Sequence, residues 1–220
     1  MFDYEFYWSV VWDQLPLLLS GALVTMEITV LSVVIGTLLA MPMSLARRSE
    51  GRAARSVSSS WVEVARNTPT LFQVYMAYFG LGALHVNISS YVAVLGAISF
   101  NNAGYLAEIF RGGLVAVPKE QYAAARSLGI SSIKAYAYVV FPQVFRVVFQ
   151  PFANQVTWAM LNTSLGMVVG LRELSGATEY AQSLSFRTFE FFTVTAGIYY
   201  VIFKLVEFGA ALIARRLVRT

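Results

Sequence analysis

The chain has 220 residues, 57% of them hydrophobic and 13% charged, with a net charge of +4 and a mean hydropathy of +0.61. A soluble domain carries about 25% charge, so this composition excludes an ordinary water-soluble globule and points to a chain that lies in a bilayer. With no cysteine and one histidine, His85, it also excludes a disulfide framework, a thiolate metal site and a histidine metal cluster.

The first 16 residues set Phe2, Tyr4, Phe6, Tyr7, Trp8 and Trp12 among Asp3, Glu5 and Asp13. That mixture reads as an amphipathic segment on the outer leaflet. Acidic residues ahead of the first apolar run, where a signal peptide has basic ones, argue against a cleavable signal. Crossing the hydrocarbon core takes about 20 mostly apolar residues. Five stretches qualify, at about 17–45, 61–84, 91–113, 147–171 and 189–213, within a single membrane domain over 1–220. The expected fold is therefore an all-α integral membrane domain.

The connections orient it. Arg47, Arg48, Arg52 and Arg55 follow the first stretch, whereas the second-to-third connection has no Lys or Arg. Lys119, Arg126 and Lys134 follow the third, flanked by Arg111 and Arg146. Arg172 and Arg187 after the fourth are balanced by Glu173 and Glu179, and the chain ends with Arg215, Arg216 and Arg219. This alternation places the N-terminus outside and the C-terminus in the cytoplasm by the positive-inside rule. The basic balance thus reflects topology and not nucleic-acid binding.

The connection at 117–143 reads VPKEQYAAARSLGISSIKAYAYVVFPQ. Pro118 suits a first helical turn, Glu120 to Leu128 is an alanine-rich helix former, and Gly129 is a natural stop. Glu120, Ala123, Ala124, Ala125, Arg126, Ser127, Leu128 and Gly129 therefore form a short, small-faced knob that another protein surface can approach closely. This segment resembles the cytoplasmic "EAA" loop of ATP-binding-cassette (ABC) importer permeases, with Ala123, Ala124, Ala125, Gly129 and Pro142 at the patterned places. It departs at Ala123, where the family usually has Glu; Glu120 stands three residues earlier. Arg66, Asn67, Thr68 and Pro69 resemble the R-x-T-P entry to the second span of polar amino-acid permeases, and Tyr105 to Gly113 resembles their third span. Asn162, Thr163, Ser164 and Leu165 resemble a D-T-S-L segment with Asn for Asp.

GLRELSGATEYAQ and FEFFTVTAGIYY look most like permeases for acidic amino acids. The resemblance implies a type I ABC importer fold in a bacterial inner membrane and a second permease copy or sister permease. It also implies a cytoplasmic ATPase docked on the alanine-rich helix and an external substrate-binding protein. No GxxxxGK followed by Ser or Thr occurs, so ATP and Mg are expected at the ATPase partner, with no cofactor and no catalytic residue on this chain.

Polar groups within the hydrocarbon face a cavity or a neighbouring helix. On a rise of about 1.5 Å per residue, Thr68, Gln73, Asn101, Asn102 and Thr157 share a middle depth, with Asn162, Thr163 and Ser164 further out. With Tyr105 and Glu108 they are the candidate lining of a substrate path, the alternative being hydrogen bonds between helices. Glu108 and Arg111 are spaced for an ion pair, as are Glu63 and Arg66, and Lys204 and Glu207. Gly80 and Gly82 read as the end of the second helix, and Glu27 has no evident partner.

Alternating access driven by a separate ATPase is the main reading. A pore protein would not need the exposed alanine-rich helix, and against an intramembrane enzyme stand one His, no Cys and no HExxH or GxSxG motif in this chain. Asn162 in place of an acid favours an anionic substrate, glutamate or aspartate, by charge complementarity; glutamine or a basic amino acid is the alternative.

Overall fold

A computed structural model describes residues 4–218, with side chains as far as Arg215. Phe2, Asp3 and Arg219 lie outside the described residues, as does the side chain of Arg216. All regular structure among the described residues is helical. It begins with α1 (Ser9–Asp13), α2 (Leu15–Ala46), α3 (Arg52–Asn67), α4 (Thr70–Tyr75), a π-helical turn (Met76–Gly80) and α5 (Leu81–Ala83). There follow α6 (Ser90–Ala116), α7 (Lys119–Ser127), α8 (Ser132–Ala135), a second π turn (Tyr136–Val140) and α9 (Phe141–Asn162). A 3₁₀ segment (Thr163–Val169), α10 (Leu174–Ser185) and α11 (Thr188–Val218) complete the chain.

Among the described residues three helices are long and apolar enough to cross a membrane: Leu15–Ala46, Ser90–Ala116 and Thr188–Arg215. The other two expected spans are interrupted. The stretch at 61–84 is two pieces, because Pro69 lacks an N–H and its ring drives Thr68 into extended backbone (φ −105°, ψ 137°). The amino-terminal piece, α3, starts at Arg52 and is polar along much of its length. Gly80 and Gly82 do not end this helix, which runs on to Ala83 and stops where His85 turns left-handed (φ 62°). In the fourth stretch α9 ends at Asn162 and the chain tightens into 3₁₀ turns up to Gly170.

The helices pack around α2 and α6. At Gly36 a Cβ would stand 2.8 Å from the Cβ of Asn102, and at Gly104 it would stand 2.7 Å from that of Ala65. Both positions admit only hydrogen, so α2 and α3 each approach α6 at backbone distance, as small residues permit between membrane helices. Between these contacts Ile28, Val74, Val94, Ile98 and Ala159 form a buried apolar core. A second core of Val11, Leu18, Leu174, Ala177 and Phe191 joins α1, α2, α10 and α11.

Charged groups mark the ends. Glu108 pairs with Arg111 on its own helix and with Arg47 at the end of α2, so the expected pair is a three-member cluster. Lys204 pairs with Glu207 at 2.6 Å. Glu63 and Arg66 form no ion pair; the Arg66 guanidinium lies 5.3 Å from the Tyr105 ring centre instead. Glu27 has a partner after all, accepting a hydrogen bond from the Tyr91 hydroxyl at 2.9 Å. At the far end the buried Glu190 accepts from the Tyr4 hydroxyl (2.5 Å) and the Tyr7 amide (3.0 Å), which ties the N-terminal aromatic segment to the start of α11.

Candidate substrate cavity and coupling helix

The break before Pro69 leaves the last carbonyls of α3 without helical donors. Side chains from two other helices supply them. Gln73 of α4 donates from Nε2 to Ala65 O (3.0 Å), Thr68 O (3.2 Å) and Thr68 Oγ1 (2.7 Å). From α6, Asn101 Nδ2 donates to Ala65 O (3.0 Å) and the Tyr105 hydroxyl to Arg66 O (3.3 Å). Beside this mended break lies a cavity of about 440 Å³. Thr70, Asn101 and Tyr105 line one wall and Pro151, Asn154, Gln155, Trp158 and Asn162 the other. The second wall repeats at helical spacing, so one stripe of α9 faces the cavity. Among the described residues no Asp, Glu, Lys or Arg lines it. A chain of amides leads inward from it: Gln155 Nε2 donates to Asn102 Oδ1 at 2.8 Å, and Asn102 Nδ2 to Ser32 Oγ at 3.3 Å. The surface is therefore equipped to exchange hydrogen bonds with a small polar solute.

Of the expected path residues the cavity gathers Asn101, Tyr105 and Asn162. Thr68 and Gln73 hold the helix break itself, and Asn102 is a buried bridge between α2, α6 and α9. Glu108 sits in the ion cluster at the arginine-rich end. Thr157 lies in a separate cleft between α9 and α11, with Phe203 and Glu207. Thr163 is buried with its hydroxyl donating to Met160 O (2.7 Å), and Ser164 donates to Leu161 O (2.7 Å), so both bond within the local turn. Sequence reasoning missed Thr70, Asn154, Gln155 and Trp158. The signal was present: Asn154 and Gln155 are polar residues one helical turn from Trp158, within a stretch expected to span the membrane.

It also missed Glu173, which is fully buried and caps α10. The carboxylate accepts from the Gly176 amide (2.8 Å), the Tyr199 hydroxyl (3.0 Å) and the Thr25 hydroxyl (3.2 Å), joining three helices.

The alanine-rich helix is α7. Pro118 stands just before it and not inside its first turn. Ala125 is buried against the body, whereas Ala123 and Ala124 are exposed. The end is a Schellman motif: Ile130 N donates to Ala125 O (3.2 Å) and Gly129 N to Arg126 O (3.0 Å), with Gly129 left-handed at φ 78°. Arg126 closes the turn by donating to Ile130 O at 2.6 Å. Beyond it Leu128 and Ile133 are 81% and 83% exposed, two bare apolar side chains that follow the alanines in the chain.

Residues 32–219 match the family described as binding-protein-dependent transport system inner membrane component. The glutamine transport system permease protein GlnP of Escherichia coli (strain K12) is 32% identical over 215 residues, 97% of this chain and 98% of that protein. The octopine transport system permease protein OccM of Rhizobium radiobacter is also 32% identical, over 88% of this chain and 83% of that protein. A crystal structure of an amino acid ABC transporter with histidines superposes with a TM-score of 0.89 at 31% identity, covering 97% of this chain and all of that one. The chain belongs to the family of binding-protein-dependent transport system inner membrane components.

Proposed function

We propose that this permease subunit carries a polar amino acid, glutamate or aspartate, through the cavity beside the Thr68–Pro69 break, by alternating access driven by a partner ATPase docked on α7. The observation that carries this reading is the lining: amides and hydroxyls without a carboxylate, next to a tyrosine on which Arg66 stacks. Such a wall suits a zwitterion with a neutral or anionic side chain and leaves a cationic one without a counter-charge. The relatives named for glutamine and octopine support an amino-acid substrate. A second permease copy closes the open side of the cavity, a binding protein delivers substrate from outside, and ATP and Mg stay with the ATPase.

The test is uptake by the reconstituted transporter with a panel of labelled amino acids. Asn162→Leu should lower uptake roughly tenfold, the consequence of one lost hydrogen bond to a desolvated polar group, while assembly persists. Asn162→Asp should shift preference towards arginine and lysine. Uptake unchanged in the Leu variant would remove Asn162 from the path, and arginine preferred by the parent protein would overturn the acidic substrate.

Orientation follows from the arginines. A reporter fused after Thr220 should behave as cytoplasmic and one inserted near Asn87 as external. Both on one side of the membrane would refute the arrangement.

A further inference from the structure

Two cavities at the arginine-rich end are neighbours. The first, about 260 Å³, is basic at Arg48 and Lys119, with Tyr122 and Tyr136 beside them and Val117, Pro118 and Val140 completing an otherwise apolar wall. The second, about 420 Å³, is an apolar groove between α2, α6 and α9, walled by Met41, Leu45, Phe110, Phe141 and Phe145. Leu114 lines both, so the basic chamber and the groove adjoin. Along the chain, Arg48 and Lys119 follow the ends of α2 and α6, where the bilayer gives way to water. The groove runs back from there along the helices. On α9 it extends from Phe141 to Val148, about 10 Å at 1.5 Å per residue.

The two cations at its head are free. Arg47 is held by Glu108 and Arg126 by a backbone carbonyl. By contrast, neither Arg48 nor Lys119 makes an ion pair or a side-chain hydrogen bond among the described residues. A pair of unneutralised cations over an apolar channel that points into the membrane matches one chemistry: a phosphate carried on acyl chains. We propose that this composite groove binds an anionic phospholipid, its phosphate between Arg48 and Lys119 and the upper part of one acyl chain along Leu114, Phe110 and Phe141. The site abuts the start of α7 and the second π turn. An occupied groove therefore braces α7 against the ends of α2 and α6, and anionic lipid becomes a requirement for the position of α7.

The experiment is native mass spectrometry of the intact transporter, extracted from nanodiscs of phosphatidylglycerol and phosphatidylcholine in equal amounts. The expected result is retention of phosphatidylglycerol over phosphatidylcholine. In Arg48→Gln/Lys119→Gln the preference should fall by roughly twenty-fivefold, about fivefold per cation, and Met41→Trp, which plugs the inner end of the groove, should weaken retention of both lipids. Lys134→Gln removes a cation at the same end that does not line the chamber and should change nothing. Equal retention of the two lipids by the parent protein, or an unchanged preference in the double variant, overturns the proposal. Inorganic phosphate that stabilises the parent protein in detergent, with Met41→Trp retaining lipid as the parent does, would mean a free-anion site and also overturns it. A photoreactive residue at Phe145 should label lipid; labelling of a second permease copy would show the groove to be a protein interface and refute it.

Discussion

Glu173→Leu should destabilise the protein by roughly 3–5 kcal/mol, the sum of a lost helix cap and of buried donors left without an acceptor. The residue is fully buried. Its removal strips acceptors from the Gly176 amide and from the hydroxyls of Tyr199 and Thr25. The first contact caps α10, the other two pin it to α11 and α2, and there is no slack to re-form them. A Cβ on Gly21 would meet Glu173 O and Ala177 Cβ at 2.9 Å, so α10 already lies at backbone distance from α2. Leucine fills the volume and satisfies no donor. Thermal unfolding of the purified protein in detergent measures the effect, and a loss within experimental error of zero would show the contacts to be incidental.

Glutamine at the same position isolates the charge. Burial raises the Glu173 carboxyl above its ordinary 4.5, against the opposing pull of the amides of Ser175 and Gly176 and the hydroxyls of Tyr199 and Thr25. The folded state therefore holds the proton more tightly than the unfolded chain does. The resulting stabilisation is complete below 4.5 and is lost as pH rises through the higher folded value. Glu173→Gln is neutral throughout, so its stability should be flat across that window while the parent protein declines. A parallel decline in both would assign the pH dependence to another group.

Much of this architecture was legible in the sequence because it rests on local chemistry. Long apolar runs gave α2, α6 and α11, and the Pro118, alanine, Gly129 order gave α7 and its stop within a residue or so. Composition could not show where a span breaks. Pro69 was visible, but the division of the second stretch depends on Gln73, Asn101 and Tyr105 reaching the orphaned carbonyls, and those contacts cross from other helices. Depth estimates placed Asn101, Asn102 and Thr157 together because a linear ruler carries no azimuth. In the fold Asn101 faces the cavity, Asn102 faces α2 and Thr157 faces α11. Glu173 escaped for a related reason. A glutamate in a polar connection reads as solvated until the connection folds back between helices.

Ala124→Glu should abolish ATPase docking on α7, and with it substrate-stimulated hydrolysis, with insertion and fold intact. Ala124 is exposed on a helix only nine residues long, so the substitution strains nothing within the chain itself. Its effect falls on the contact. A narrow alanine face followed in the chain by the bare side chains of Leu128 and Ile133 is apolar surface that water covers poorly, and it suits insertion into a groove of another protein. A carboxylate there, desolvated on docking without a partner, costs several kcal/mol. That is enough to cut binding by a hundredfold or more, since about 1.4 kcal/mol is tenfold. Gly129→Val acts by another route. No atom lies within 4 Å of its would-be Cβ, so no clash arises, but φ 78° is left-handed. A β-branched residue there strains the backbone by roughly 1–2 kcal/mol or rotates the turn. Rotation would break the Ile130-to-Ala125 bond and redirect the chain that leaves α7. The two variants therefore separate surface from shape. Ala124→Glu should lose docking outright. Gly129→Val should bind the ATPase weakly and transmit substrate stimulation poorly. Pull-down of the ATPase and substrate-stimulated hydrolysis in vesicles read both, and full docking with full stimulation in Ala124→Glu would take the coupling role away from α7.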